Sequence, residues 1–154
     1  MGVKRFIPDN ENKRYSGLLY FFNGPDKVWP RALEFQLQET DVGDIWMLDG
    51  TRISTRIEAE VLPMYVRSMA GPTITQSRGR IIKSGDFEDR NGWNQLELVL
   101  DGDKITQIVN GRAVMRAWDV KQPSQDDPSN YIPVTSGRMM LQAEARKSGS
   151  ATCG

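Results

Sequence analysis

Apolar and polar residues alternate with a period of two along most of this chain, the pattern of half-buried β-strands. Gly17 to Phe22 is a short apolar and aromatic stretch, closed by the turn sequence Asn23-Gly24-Pro25-Asp26. The alternation is cleanest from Arg31 to Glu39, where Leu33, Phe35 and Leu37 take one face and Glu34, Gln36 and Gln38 the other. Asp41 to Asp44 reads as a turn and Ile45 to Leu48 as a brief strand ending at Asp49-Gly50. Arg52 to Leu62 reads as a strand that Pro63 ends, Ser68 to Gly79 as a small-residue, polar loop, and Arg80 to Lys83 as a short strand. Trp93 to Leu100, Lys104 to Val109 and Arg112 to Ala117 form a three-strand meander, with turns at Asp101-Gly102-Asp103 and Asn110-Gly111. Asn-Gly suits a two-residue type I′ hairpin turn, because both of its positions need positive φ. Gln122 to Asn130, polar and holding two prolines, reads as a long loop. Ser136 to Ala145 is the last strand, with Met139, Leu141 and Ala143 on one face and Met140, Gln142 and Glu144 on the other.

No segment carries a helical period over a useful length, and no repeat is visible. Many short strands with frequent turn signals predict one all-β domain over residues 1–145, a sandwich of two antiparallel sheets. Residues 146–154 lack strand character and are expected to form a disordered tail.

Composition narrows the chemistry. The chain has 154 residues, enough for a two-layer core in one domain. Lysine plus arginine equal aspartate plus glutamate at 20 each, so no net charge argues for nucleic acid or an anionic membrane surface as partner. No apolar run approaches the roughly 18 residues of a membrane span. Met1 to Asn12 is polar and charged, without an apolar signal-peptide core. Cys153 is the sole cysteine, which rules out an intrachain disulfide and a cysteine metal cluster. Histidine is absent, so a Ser-His-Asp triad and histidine-ligated metals are excluded. Chemistry must rest on carboxylates, amides, tyrosine, lysine or an oxygen-bound metal.

Sugar sites pair planar hydrogen-bonding groups with aromatic rings for the apolar faces of a pyranose. Glu34, Gln36 and Gln38 supply three such groups, spaced about 7 Å apart along one strand. The ordinary solvent face of an antiparallel sheet is polar too. Trp29, Trp46, Trp93 and Trp118 are candidate stacking platforms, although core packing accounts for most tryptophans in sandwiches. Trp46, beside Asp44, is the best placed. Glu97 faces away from Leu96 and Leu98 and reads as solvated. Gln107 shares a face with Ile105 and Val109, so its amide needs a partner, for which a structural hydrogen bond would suffice. The glycines form no phosphate loop, and Asp101 and Asp103 fit a hairpin turn better than a calcium loop.

An ordered set of segments resembles one family. These are Arg14-Tyr-Ser-Gly-Leu-Leu-Tyr20, Gly24-Pro-Asp-Lys-Val-Trp-Pro30, Leu33-Glu-Phe-Gln-Leu-Gln-Glu39 and Gly43-Asp-Ile-Trp46. Arg80-Ile-Ile-Lys-Ser84 with Trp93-Asn94, Ile108-Val-Asn-Gly111 and Gly137-Arg-Met-Met-Leu-Gln-Ala-Glu144 complete it. Together they resemble the 3-keto-disaccharide hydrolases, a former domain of unknown function with a concanavalin A-like, laminarinase-like jelly roll. The resemblance implies a sugar-binding groove and action on glycosides oxidised at carbon 3, by hydrolysis or elimination. It implies Glu34 as the catalytic acid/base, with Gln36, Gln38, Tyr20, Trp46, Gln107, Gln142 and Glu144 contacting substrate. One carboxylate among amides does not support paired-carboxylate glycosidase chemistry.

Relatives often carry histidine where this chain has Phe21 and Gln107. The resemblance admits a divalent metal, for which the chain offers no histidine ligand, so no metal-ligating residue is assigned and the cofactor is left unknown. It also leads one to expect strands before Lys4 and after Glu144, so the chain reads as truncated at both ends. The resemblance places relatives in the periplasm or at the cell surface. The partner it implies is a carbohydrate. An enzyme is favoured; the alternatives are a non-catalytic carbohydrate-binding module and an inactive truncated relative.

Overall fold

The computed structural model of the protein describes residues 2–4, 15–61, 64–67 and 71–144. The expected tail over 146–154 lies outside the described residues. Among the described residues there are thirteen strands and no helix. In chain order they are β1 (Gly2–Lys4), β2 (Tyr15–Asn23), β3 (Arg31–Gln36), β4 (Ile45–Leu48), β5 (Arg52–Val61), β6 (Met64–Arg67) and β7 (Thr73–Gln76). They continue with β8 (Gly79–Ile82), β9 (Trp93–Asp101), β10 (Lys104–Val109), β11 (Arg112–Pro123), β12 (Tyr131–Pro133) and β13 (Arg138–Glu144).

The front layer runs β13-β2-β3-β4-β8-β6, and the back layer runs β1-β9-β10-β11-β5 with β12 beside β11 and β7 beside β5. β5 joins the two layers: its first half pairs with β11 and β7, its second half with β6. The pairing of β6 with β8 is parallel, in place of the antiparallel order expected throughout. Connectivity explains it. After β6 the chain leaves the front layer to form β7 at the back and then re-enters, so β8 runs in the direction of β6. β7 lies within the stretch expected to be a loop, and β11 runs six residues beyond the expected end at Ala117. Between Trp118 and Lys121 its register shifts where Asp119 takes a φ of 55°, and the strand resumes beyond this irregularity.

The layers enclose one core. Leu33 and Phe35 of β3, Ile45 and Met47 of β4, and Ile81 of β8 meet Ile53 of β5, Ile105 and Val109 of β10, and Val114 and Met115 of β11. Inward apolar positions on alternate residues of both sheets fill this space, which sends Glu34 and Gln36 to the outer face of the front layer. The β9–β11 meander forms as expected, and Asn110 and Gly111 take φ values of 50° and 77°, the type I′ requirement. One feature resets the alternation. Between Tyr20 and Asn23, β2 has one residue more than β3, and Phe21 takes a φ of 51°. This β-bulge turns both Tyr20 and Phe21 into the core, while Phe22 packs with Leu19 and Ala32 in a separate apolar cluster.

Candidate functional site

Registers across the front layer assemble the outer surface around Glu34. One cross-strand row is Gln142–Gly17–Gln36, and the next is Leu19–Glu34–Trp46–Arg80. Glycine in the middle of the first row makes a trough. A Cβ on Gly17 would lie 2.7 Å from Glu34 Cδ and collide with Oε1, so the carboxylate leans across β2 into space that only glycine leaves open. Over this floor is a pocket of ≈ 440 Å³ lined by Ser16, Trp29, Glu34, Gln36, Gln38, Trp46, Leu48 and Gln142. Its size is that of small-molecule sites, and it combines two indoles and a leucine with one carboxylate and three amides.

The polar stripe is buried as well as aligned: Glu34 and Gln36 are each 6% exposed and Gln38 7%. Gln38 lies just past β3 in the connection to β4 and keeps the outward phase of the strand. Gln36 Nε2 donates to Gln38 Oε1 at 3.1 Å, which fixes both amides and leaves Gln36 Oε1 as an acceptor and Gln38 Nε2 as a donor for a ligand. Trp29, 51% exposed in the β2–β3 connection, forms part of the wall, although a rim position is not what core packing predicts. None of the four tryptophans is fully buried; Trp46 and Trp118 are half-buried and Trp93 is exposed. The interlayer space is filled instead by Tyr20, Phe21, Phe35 and aliphatic side chains, and a ring as large as indole is rarely enclosed completely.

The structure therefore brings together Glu34, Gln36, Gln38, Trp46 and Gln142. It does not bring Tyr20 or Gln107 to them. Both are 0% exposed between the layers, where the Tyr20 hydroxyl donates to Gln107 Oε1 at 2.9 Å. Gln107 Nε2 donates to the Gly43 carbonyl at 2.7 Å and, more weakly, to that of Asp44 at 3.3 Å. Burial holds the tyrosine well above the ordinary phenol range, so it stays a donor. The physical reason for their placement is register: Tyr20 opposes inward Leu33, and Gln107 lies between inward Ile105 and Val109. Phe21, the other position where histidine was expected, is also in the core. Both departures from the resemblance thus alter the interior, not the pocket. Glu144 ends β13 opposite Tyr15, and its side chain lies outside the described residues.

Beside the pocket sits a group of charges that residue spacing did not reveal. Asp44 is 1% exposed. Its Oδ1 accepts from the Lys83 backbone at 2.9 Å, and its Oδ2 lies 3.4 Å from Arg80 Nε. Burial pushes the Asp44 carboxyl up to about 6, against the pull of the Lys83 amide, Arg80 and Lys83. Arg80 also donates to Asp41 at 3.0 Å, and its guanidinium is 5.7 Å from the Trp46 ring centre. The sequence signal for this group was limited to an acid two residues before Trp46. Arg80 lies on β8 and Lys83 just after it, more than thirty residues away, and only the β4–β8 pairing joins them to Asp44.

The described residues do not fit a divalent cation: among them the pocket has a single carboxylate, and no group of three or more acidic, cysteine or histidine side chains is placed to hold a metal.

The fold and the pocket define a jelly-roll β-sandwich with a carboxylate and paired amides on the outer face of one sheet. The model of the 3-keto-alpha-glucoside-1,2-lyase-like domain family matches residues 5–149, and the chain belongs to that family. Its domain class is thus 3-keto-glycoside hydrolase/lyase-like and carbohydrate-related. No curated protein and no solved structure matches the chain. Among the described residues no helix is long and apolar enough to cross a membrane.

Proposed function

We propose that this protein cleaves the glycosidic bond of 3-keto-glucosides in the pocket over β3, with Glu34 as acid/base. The observation that carries the reading is that, in a chain of this family, the only carboxylate that the described residues bring to the pocket shares it with a fixed amide pair and two indoles. A ketone at carbon 3 acidifies the C2–H bond. Glu34 takes that proton, the electrons pass into the enolate, and the C1–O bond breaks to give a C1=C2 double bond. The leaving oxygen is protonated by the acid form of Glu34 or by water, so protons balance. Gln38 Nε2 is the donor for the enolate oxygen, and Trp46 and Trp29 take the apolar sugar faces. Addition of water across the new bond would complete hydrolysis. Export to the periplasm or cell surface forms part of this proposal, in line with the resemblance.

The test is incubation of the protein with methyl 3-keto-α-glucoside, with and without divalent cations, following release of methanol. Turnover that falls by about 10²-fold or more in Glu34→Gln, with thermal stability kept, supports the reading. The amide-rich lining and the absence of histidine favour a second reading, a carbohydrate-binding module. Binding without turnover would select it, and the absence of both would overturn the two together.

A further inference from the structure

The charge group beside the pocket has no part in that chemistry, and stability does not explain it. Burying a carboxylate and a guanidinium together gives back in attraction about what their desolvation costs. The Arg80 Nε is buried without a hydrogen-bond partner, so its 3.4 Å approach to Asp44 acts through charge alone. Geometry shows what the group holds. Asp41 and Asp44 belong to the connection between β3 and β4, and Arg80 and Lys83 lie on and just after β8. Arg80 spans Asp41 and Asp44, while Lys83 grips Asp44 through its backbone and the Thr40 carbonyl through Nζ at 2.9 Å. The same connection is sewn to the main chain that carries the amide pair: the Asp41 N–H donates to the Gln38 backbone carbonyl at 2.9 Å and the Gly43 N–H to the Gln36 backbone carbonyl at 3.0 Å. Arg80 is also the neighbour of Trp46 across the strand pair.

We propose that Asp44 and Arg80 are positioning residues of the pocket: they latch the β3–β4 connection to β8 and so fix the Gln36–Gln38 amides and the Trp46 indole in one arrangement. Its consequence for ligand affinity rests on the glycoside reading given above. The latch depends on the charge of Asp44, which burial leaves close to neutrality at weakly acid pH. The groups around it are Arg80 on β8, Lys83 beyond it and Asp41 in its own connection. Lys83 is in turn shared with Asp86 and Glu88. From the back layer, the uncharged Gln107 meets the Asp44 carbonyl, and its partner Tyr20, on β2 of the front layer, stays protonated. Protonating Asp44 removes the inner anchor of Arg80 and leaves it on Asp41 alone.

The test uses the full chain and the emission of Trp46, isolated as the difference between wild type and Trp46→Phe, between about pH 8 and pH 5. The emission should change with a midpoint near 6. Arg80→Met should abolish the change and Arg80→Lys should restore part of it. Asp41→Asn should move the midpoint to lower pH, because the Asp41 charge raises Asp44. Over the same range the Kd for methyl 3-keto-α-glucoside should rise at least about fivefold in wild type and stay flat in Arg80→Met. A flat wild-type emission, or one that Arg80→Met retains, overturns the latch; should Arg80→Met not fold, an unmoved Asp41→Asn midpoint does so. The expected emission with no glucoside binding at any pH supports the latch and overturns the glycoside reading.

Discussion

Gln36 and Gln107 carry the same side chain, lie on facing sheets and are almost equally buried, at 6% and 0% exposure. One lines the pocket and the other is welded into the core. Gln107 spends its hydrogen bonds inside the protein, accepting from Tyr20 and donating to the carbonyls of Gly43 and Asp44. Gln36 donates to Gln38 and keeps an acceptor turned towards open volume. Burial of a polar group therefore does not mark a site. What separates a binding amide from a structural one is where its unspent hydrogen-bonding capacity points.

Four perturbations would break or sharpen this contrast. The largest effect falls on Glu34. Its replacement by glutamine should lower turnover of a 3-keto-glucoside by about 10²–10⁴-fold while the thermal midpoint stays put, and near-normal turnover would remove Glu34 from the chemistry. Next comes the pH dependence of stability through Asp44. Its folded value is raised from 3.8 to about 6, so its stabilising contribution is complete below 3.8 and is lost as pH rises through 6. The wild type should thus lose about 2 kcal/mol relative to Asp44→Asn between pH 4 and pH 7 in denaturant titrations. A difference that does not vary with pH would contradict the burial argument.

Gln107→Ala should then cost about 2 kcal/mol of stability, because it strands the buried Tyr20 hydroxyl and the Gly43 carbonyl. Ligand affinity at saturating folded protein should hardly move, and a selective loss of affinity would place Gln107 back among the binding residues. The smallest effect is expected at the rim. Trp29→Ala should weaken glucoside binding by about 1 kcal/mol and change stability by less than about 0.5 kcal/mol, measured by calorimetry and thermal melts.

Much of this arrangement is legible in the chain. Strict alternation places Leu33 and Phe35 inside and Glu34 and Gln36 outside, and Asn110-Gly111 announces its turn. The resemblance adds the family, and the match over residues 5–149 establishes it. Other features are legible only in three dimensions. The bulge at Phe21 shifts the phase of β2 by one residue, so no fixed period assigns both Tyr20 and Phe22. β7 is four residues long and half exposed, too short and polar to stand out from a loop. The latch joins Asp41 and Asp44 to Arg80 and Lys83 through strand pairing, a relation that spacing along the chain does not encode.

The four tryptophans offer the most direct test of where ligand acts, because two line the pocket and two lie elsewhere: Trp93 on β9 and Trp118 on β11. Titrating methyl 3-keto-α-glucoside into isotope-labelled protein should move the indole N–H resonances of Trp29 and Trp46 saturably and leave those of Trp93 and Trp118 in place. Saturable shifts confined to Trp93 or Trp118, or no shift at any of the four, would contradict a ligand site on the outer face of β3.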